Sequence, residues 1–389
     1  MLCAMDAPLS LDRATTTPLD PRVREAMLPW LSSGASIPSA FGARGRAARA
    51  ALAAARAAVA RLFGAPPGEI VFTASATEAN NLAIKGVAAA APRPGRLIAA
   101  ATEHHSILHP LRTLERAGHR VDLLPVDRDG AVDPEDLERA LSGGAILVSI
   151  AHASAEIGTL QPIADLCRVA RRAGVPLHSD LSVSLGLVPW RGEDAPDLGT
   201  ATAHLMQGPA GAAALRLREG VRLRPLVEGG LQEGGLRAGT EALAAIVGFG
   251  RAAELALEEA EAGAAAAEAA AREFRGRLAA LLPGAVPTGH PARRVPGHVS
   301  LCLPGVEAEA VLQGLEEEGV EAGSGSACTT EAGKPSHVLL AMGIDPLLAR
   351  GAVTCAFGPG HGRDDAGRAA LALARVVLRL QSLSPLPTA

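Results

Sequence analysis

The chain has 389 residues, of which 48% are apolar and only 2% aromatic, with no tyrosine and a formal net charge of −4. That length and apolar content support one large and one smaller unit with a sizeable core. No basic block is present to neutralise phosphates, no apolar run is long enough to span a bilayer, and the start MLCAMDAPLSLDR lacks the pattern of a secretory leader. Nucleic-acid and membrane partners are therefore not expected. The five cysteines (Cys3, Cys167, Cys302, Cys328 and Cys355) are scattered and form no CxxC pair. They predict reduced thiols in a cytoplasmic protein and no metal centre.

In chain order, Arg44 to Phe63 is rich in Ala and Arg and predicts a helix. EIVFTA (69–74) then reads as a buried strand that turns at Ser75–Thr77 into a helix from Glu78 to Ala91. The alternation continues with strands at 96–101, 120–126, 145–152 and 175–180, separated by helices at 106–118, 133–143 and 163–174. Strands spaced by helices of this length predict βαβ units and a mostly parallel sheet, with ligands beyond the strands' carboxyl ends. Glu241 to Leu282 reads as one alanine-rich helix bridging to a smaller unit. That unit has strands at 298–303 and 352–357, helices at 307–319 and 363–381, and a Gly/Ser-rich loop carrying Cys328.

Three strand ends bring polar groups to one rim. TASATEANN (73–81) opens a helix whose first N–H groups, at Ala76 and Thr77, make an anion site or simply a cap. TEHHSILHP (102–110) places His104 at a strand end, to stack on a planar ring or to meet solvent. HSD (178–180) ends an apolar strand in Asp180, which needs a cationic partner if buried, or caps the next segment. Cys328, in GSGSACTTEAGKPSH (323–337), is a thiol in an open loop and a candidate nucleophile.

The order and wording of TPLDPRV (17–23), FTASATEANNLAIKG (72–86), TEHHSIL (102–108), EIGTLQPI (156–163), GLRAGTEALAAIVGFG (235–250) and GSACTTEAGKPSHVLLAMG (325–343) resemble the NifS/IscS-type cysteine desulfurases. The resemblance covers nearly the whole chain. It implies the class V aminotransferase form of the fold type I pyridoxal phosphate (PLP) enzymes, an α/β fold. A large unit, 14–255, would hold a mostly parallel seven-stranded sheet; a smaller α+β unit, 1–13 with 256–389, would carry the Cys328 loop. In that family a lysine holds PLP, a loop cysteine takes sulfur from substrate cysteine as a persulfide, and acceptor proteins, often iron–sulfur scaffolds, receive it. Homodimers share sites across their interface.

Carried over position by position, the resemblance puts Thr77, Thr202 and His204 on the PLP phosphate, with Thr240 reaching it from the partner subunit. His104 falls at the ring-stacking position, Asp180 at the pyridine nitrogen, and Cys328 at the persulfide cysteine.

The interior departs from the family. SxHK reads TAHL, so Leu205 stands where the lysine belongs. Ala155 and Val183 replace an Asn and a Gln at the ring hydroxyl, and Thr354 replaces the Arg that clamps the substrate carboxylate. Ser75 replaces a glycine in the phosphate turn and Gly42 a histidine. Only two lysines exist, Lys85 and Lys334, and neither lies in a motif suited to holding PLP.

The expectation is thus a desulfurase homologue impaired or inactive as a PLP enzyme, acting as persulfide relay, scaffold or partner subunit of an active paralogue. PLP, if held, would be held non-covalently. Two alternatives stand beside it: an enzyme using non-covalent PLP or its amino form (PMP), with His104 as acid–base, and a purely structural or regulatory binding module.

Overall fold

The computed structural model describes residues 8–31, 37–188, 195–324 and 334–383. A short strand, β1 (Leu9–Ser10), precedes helices α1 (Pro21–Leu31) and α2 (Gly42–Phe63). Then strand and helix alternate: β2 (Ile70–Thr73), α3 (Ala76–Ala90), β3 (Arg96–Ala100), α4 (His105–Arg116), β4 (Arg120–Leu124) and α5 (Pro134–Leu141). The run continues with β5 (Leu147–Ser149), α6 (Ile163–Arg172), β6 (Leu177–Asp180), β7 (Leu198–Thr202) and β8 (Ala213–Leu217). Helix α7 (Leu243–Leu281) leads to β9 (Val286–Pro287), β10 (His298–Cys302), α8 (Ala308–Glu317) and β11 (Val320–Glu321). The last elements are α9 (His337–Ala341), α10 (Pro346–Ala349), β12 (Ala352–Ala356) and α11 (Arg363–Leu383).

The main sheet has seven strands in the order β2-β8-β7-β6-β5-β3-β4. Only β8 runs antiparallel to its neighbours, so the mostly parallel sheet expected from the alternation is present. Thr73 and Thr202 both pair with Ala213, which brings the carboxyl ends of β2 and β7 level. Asp180 pairs with Thr200 one strand further on. The ends of β2, β7, β6, β5 and β3 therefore open onto one rim.

Two cores share one helix. The first half of α7 packs Ile246, Phe249, Ala252 and Leu255 against Val59, Phe63 and Phe72. Its second half packs Ala270, Phe274 and Leu278 against Leu11, Val299, Val353 and Leu373. Phe249 and Phe274 are fully buried, each stabilising the fold by about 1.5–3 kcal/mol. At 39 residues, α7 is about 58 Å long. Among the described residues, no helix is long and apolar enough to cross a membrane.

Most predicted elements recur with ends moved by a few residues. The strand expected over 145–152 ends at Ser149, because the chain beyond it turns into the loop that lines the rim cavity. Strand β7 ends at Thr202, where the sequence leads one to expect a strand end, whereas helix α1 and strand β8 have no counterpart in the predicted pattern.

Candidate functional site

A cavity of about 290 Å³ lies at the rim. One wall is the start of α3. Ser75 Oγ accepts from the Glu78 backbone N–H at 3.1 Å, and Glu78 Oε2 accepts from the Ala74 N–H at 2.8 Å. This reciprocal capping leaves the N–H groups of Ala76 and Thr77 without intrahelical acceptors, at the positive end of a 15-residue helix. Arg237 Nε binds Glu78 Oε1 at 2.9 Å and balances its charge.

The second wall follows β7. Thr202 Oγ1 and His204 Nδ1 lie 2.8 Å apart. Burial pushes the His204 imidazole below its ordinary value. Thr17 clamps this turn: its N–H and its hydroxyl donate to the His204 carbonyl at 2.9 and 2.7 Å, while Oγ1 accepts from the Gln207 N–H at 2.7 Å. The clamped turn holds Leu205 against the cavity.

The floor is a chain of hydrogen bonds. Asp180 Oδ1 accepts from the Ser182 N–H at 2.9 Å and Oδ2 from Asn80 Nδ2 at 2.7 Å. The same amide nitrogen donates to Ser106 Oγ at 2.8 Å, and Ser106 Oγ lies 2.8 Å from His104 Nδ1. Because His104 Nδ1 also accepts from the Ser106 N–H at 3.1 Å, the ring proton belongs on Nε2. These described partners of Asp180 are neutral, so its carboxylate retains capacity for a cationic ring nitrogen.

Two further carboxyl groups line the cavity. Glu103 is 2% exposed; Oε1 accepts from the Ala151 N–H at 3.0 Å, while Oε2 has no partner among the described residues. Burial, reinforced by the Asp180 charge, pushes its carboxyl up to about 8, so it is protonated at pH 7. Burial likewise raises Glu156 to about 7, opposed by the hydroxyl that Ser336 donates to Oε2. His337 Nε2 donates to the Glu103 carbonyl at 3.0 Å and ties α9 to this wall. Asn80, Ser106, Glu103, Glu156 and His337 were not singled out from the sequence; the available signal was their place inside the quoted stretches, Asn80 in TASATEANN, Glu103 and Ser106 in TEHHSILHP, Glu156 in EIGTLQPI and His337 in GSGSACTTEAGKPSH.

The structure gathers Ala76, Thr77, His104, Asp180, Thr202 and His204 around one cavity, together with Ser75, Ala155, Val183 and Leu205. Thr354 is buried on β12 outside the lining, and its hydroxyl donates to the Glu156 carbonyl at 3.2 Å. Thr240 is exposed and does not line this cavity. Cys328 lies outside the described residues. Of the described cysteines, Cys167, Cys302 and Cys355 are buried, and burial pushes the thiols of Cys302 and Cys355 up to about 12. Lys85 and the exposed Lys334 are not among the lining residues. Among the described residues, no group of three or more His, Cys, Asp or Glu is placed to hold a metal ion.

Residues 9–360 match the family model for class V aminotransferases. The chain is 38% identical over 377 residues to the cysteine desulfurase IscS of Dictyoglomus turgidum, covering 96% of each. The chain belongs to the class V aminotransferase family. Within it, the relatives are cysteine desulfurases: the IscS of Anaeromyxobacter sp. Fw109-5 is 41% identical over 390 residues, covering 98% of this chain and 95% of its own. The solved structure of a NifS-like protein superposes with a TM-score of 0.89 at 30% identity, covering 96% of this chain and all of its own.

The donor set fits PLP. Free N–H groups at the start of α3, the Thr202–His204 pair and the Asp180 carboxylate suit a phosphate at one end and a ring nitrogen at the other. No amine among the described lining residues fits a covalent link.

Proposed function

We propose that this chain is a cysteine desulfurase homologue without ordinary PLP turnover, acting in sulfur transfer and iron–sulfur cluster assembly through Cys328. It serves as persulfide relay, scaffold or partner subunit of an active paralogue. The observation that carries the reading is Leu205, fixed at the cavity by the Thr17 clamp. A hydrocarbon side chain neither tethers a cofactor nor moves a proton. Loss of general acid–base work alone costs about 10²–10⁴-fold in rate.

When bound, PLP supplies an electron sink for carbanion chemistry. The chain's own part is to bind and orient. Ala76 and Thr77 N–H groups, with Thr202 and His204, would hold the phosphate, Asp180 the ring nitrogen, and His104 would lie against the ring. With Thr354 donating to a backbone carbonyl, no described cation in the lining meets a substrate carboxylate.

For a relay, the Cys328 thiolate attacks the outer sulfur of a donor persulfide. One S–S bond forms as the donor's breaks, and the donor leaves as a thiolate that takes up the persulfide proton. The exposure of Thr240, away from its own cavity, suits a contact across a dimer interface.

The test is a persulfide-transfer assay on the purified protein with the Cys328→Ala variant, alongside absorbance with added PLP and L-cysteine. The expected result is transfer that depends on Cys328, with no covalent pyridoxyl group after borohydride. Transfer unaffected by Cys328→Ala, or brisk alanine production from L-cysteine, overturns the reading. The Asp180–Asn80–Ser106–His104 network favours a second reading, an enzyme using non-covalent PLP or PMP. Its signature is absorbance between about 330 and 420 nm that borohydride does not fix to the protein.

A further inference from the structure

Away from the free N–H groups at the start of α3, the cavity's charged side chains are of one sign. Among the described residues that line it, none is Lys or Arg, yet Glu103, Glu156 and Asp180 all carry carboxyl groups. Two of the three have other roles. Asp180 accepts at both oxygens and, in the reading above, keeps its charge for a ring nitrogen, and Glu103 is enclosed, with an oxygen that meets neither solvent nor a described partner.

Glu156 differs. Ser336 occupies Oε2, while Oε1 receives no hydrogen bond from the described residues and is not sealed off as Glu103 Oε2 is. The same lining is aliphatic at Ala155, Val183 and Leu205. The nearby His337 imidazole is held below its ordinary value by burial. A ligand entering here meets a carboxyl oxygen, aliphatic side chains and imidazole rings, with no described Lys or Arg to pair with an anion.

We propose that the Glu156 side of the cavity binds a small primary-amine cation without a carboxylate, and rejects amino acids. An ammonium group placed at Glu156 Oε1 gains a charge-assisted hydrogen bond. A carboxylate on the same small ligand would be buried unpaired beside Glu103 and Glu156. The inference rests on the reading above, in which the chain does not turn over amino acids, and it specifies what the cavity accepts instead.

Isothermal titration of the full-length protein near pH 8, with and without PLP, tests it using three ligands of one size. Ethanolamine and L-serine differ by the carboxylate; ethylene glycol lacks the charge. Ethanolamine is expected to bind at least about tenfold tighter than either. Glu156→Gln should remove that advantage. Serine or ethylene glycol binding as tightly as ethanolamine overturns the proposal, as does no binding by any of the three; these arms need no variant. A folded Glu156→Gln protein that keeps the full preference also overturns it. Alanine production from L-cysteine, measured separately, would sink the reading of lost turnover and is read independently of this preference.

Discussion

Asn80 and Asp180, 100 residues apart in sequence, meet at 2.7 Å, and Asn80 donates to Ser106 from the same nitrogen. One amide from the first turns of α3 thus fixes both the acid at the end of β6 and the loop that presents His104. Asn80→Ala leaves a buried hydroxyl and a carboxylate oxygen short of a donor, at a cost of about 1–3 kcal/mol. Urea unfolding is expected to show that loss, and PLP titration a weaker complex. Unchanged stability and PLP affinity would show that Asn80 does not support the site.

Leu205→Lys restores an amine to the turn held by Thr17. Because the proposed phosphate and ring-nitrogen anchors line the same cavity, the variant is expected to form a covalent PLP link that borohydride fixes to residue 205. Mass spectrometry of the reduced peptide checks this. Turnover of L-cysteine is expected to stay well below that of an active desulfurase, because Thr354 still offers no cation to a substrate carboxylate.

Much of this was legible in the sequence. The alternation of strands and helices gave the sheet, and the quoted polar motifs proved to share its rim. The site's network was less so. Asn80 stands in TASATEANN beside Asn81, yet Asn81 turns back to the Thr77 carbonyl at 2.9 Å while Asn80 faces the core. Only the helix's orientation on the sheet separates the two. Strand β8 is the five-residue stretch AALRL, broken by Arg216, after the Gly-rich turn GPAG, too short for periodicity to distinguish it from a loop. Helix α1 carries Pro29 and buries only Val23, so its apolar pattern is faint. Glu103 and Glu156 owe their importance to burial, which a linear reading does not supply.

Glu103 gives stability a pH dependence whose sign is fixed. Its folded value, about 8, lies above its ordinary 4.5, so the folded state holds a proton that the unfolded chain has given up. The favourable contribution is complete below about 4.5 and is lost as pH rises through about 8. His152, His178 and His298, pushed down to about 4 by burial, act oppositely, but only below 6.5, where the unfolded imidazoles protonate. Glu156 contributes up to about 7. From pH 7 to 8 the unfolding free energy is therefore expected to fall by about 1 kcal/mol. Glu103→Gln, which keeps the acceptor for the Ala151 N–H, should flatten that interval. An equal fall in the variant assigns the effect to another group.

Glu233 is a buried anion with three donors. Arg56 binds both of its oxygens at 2.6 and 2.8 Å, the Phe72 N–H donates at 2.8 Å, and the guanidinium sits 4.8 Å from the Phe72 ring centroid. Glu233→Ala strands the arginine and an N–H of β2. The expected loss is about 3–5 kcal/mol, read by chemical denaturation. A loss under 1 kcal/mol would mean that water replaces the carboxylate without penalty.

Helix α7 has a consequence for motion. Because one unbroken rod is embedded in both cores, the two cannot swing apart on a pliable tether. Any relative tilt must bend a span of hydrogen-bonded turns or pivot it in its sockets. The width of the cleft is thus set by the skeleton of the molecule, and entry of a guest falls to the surface segments around the mouth.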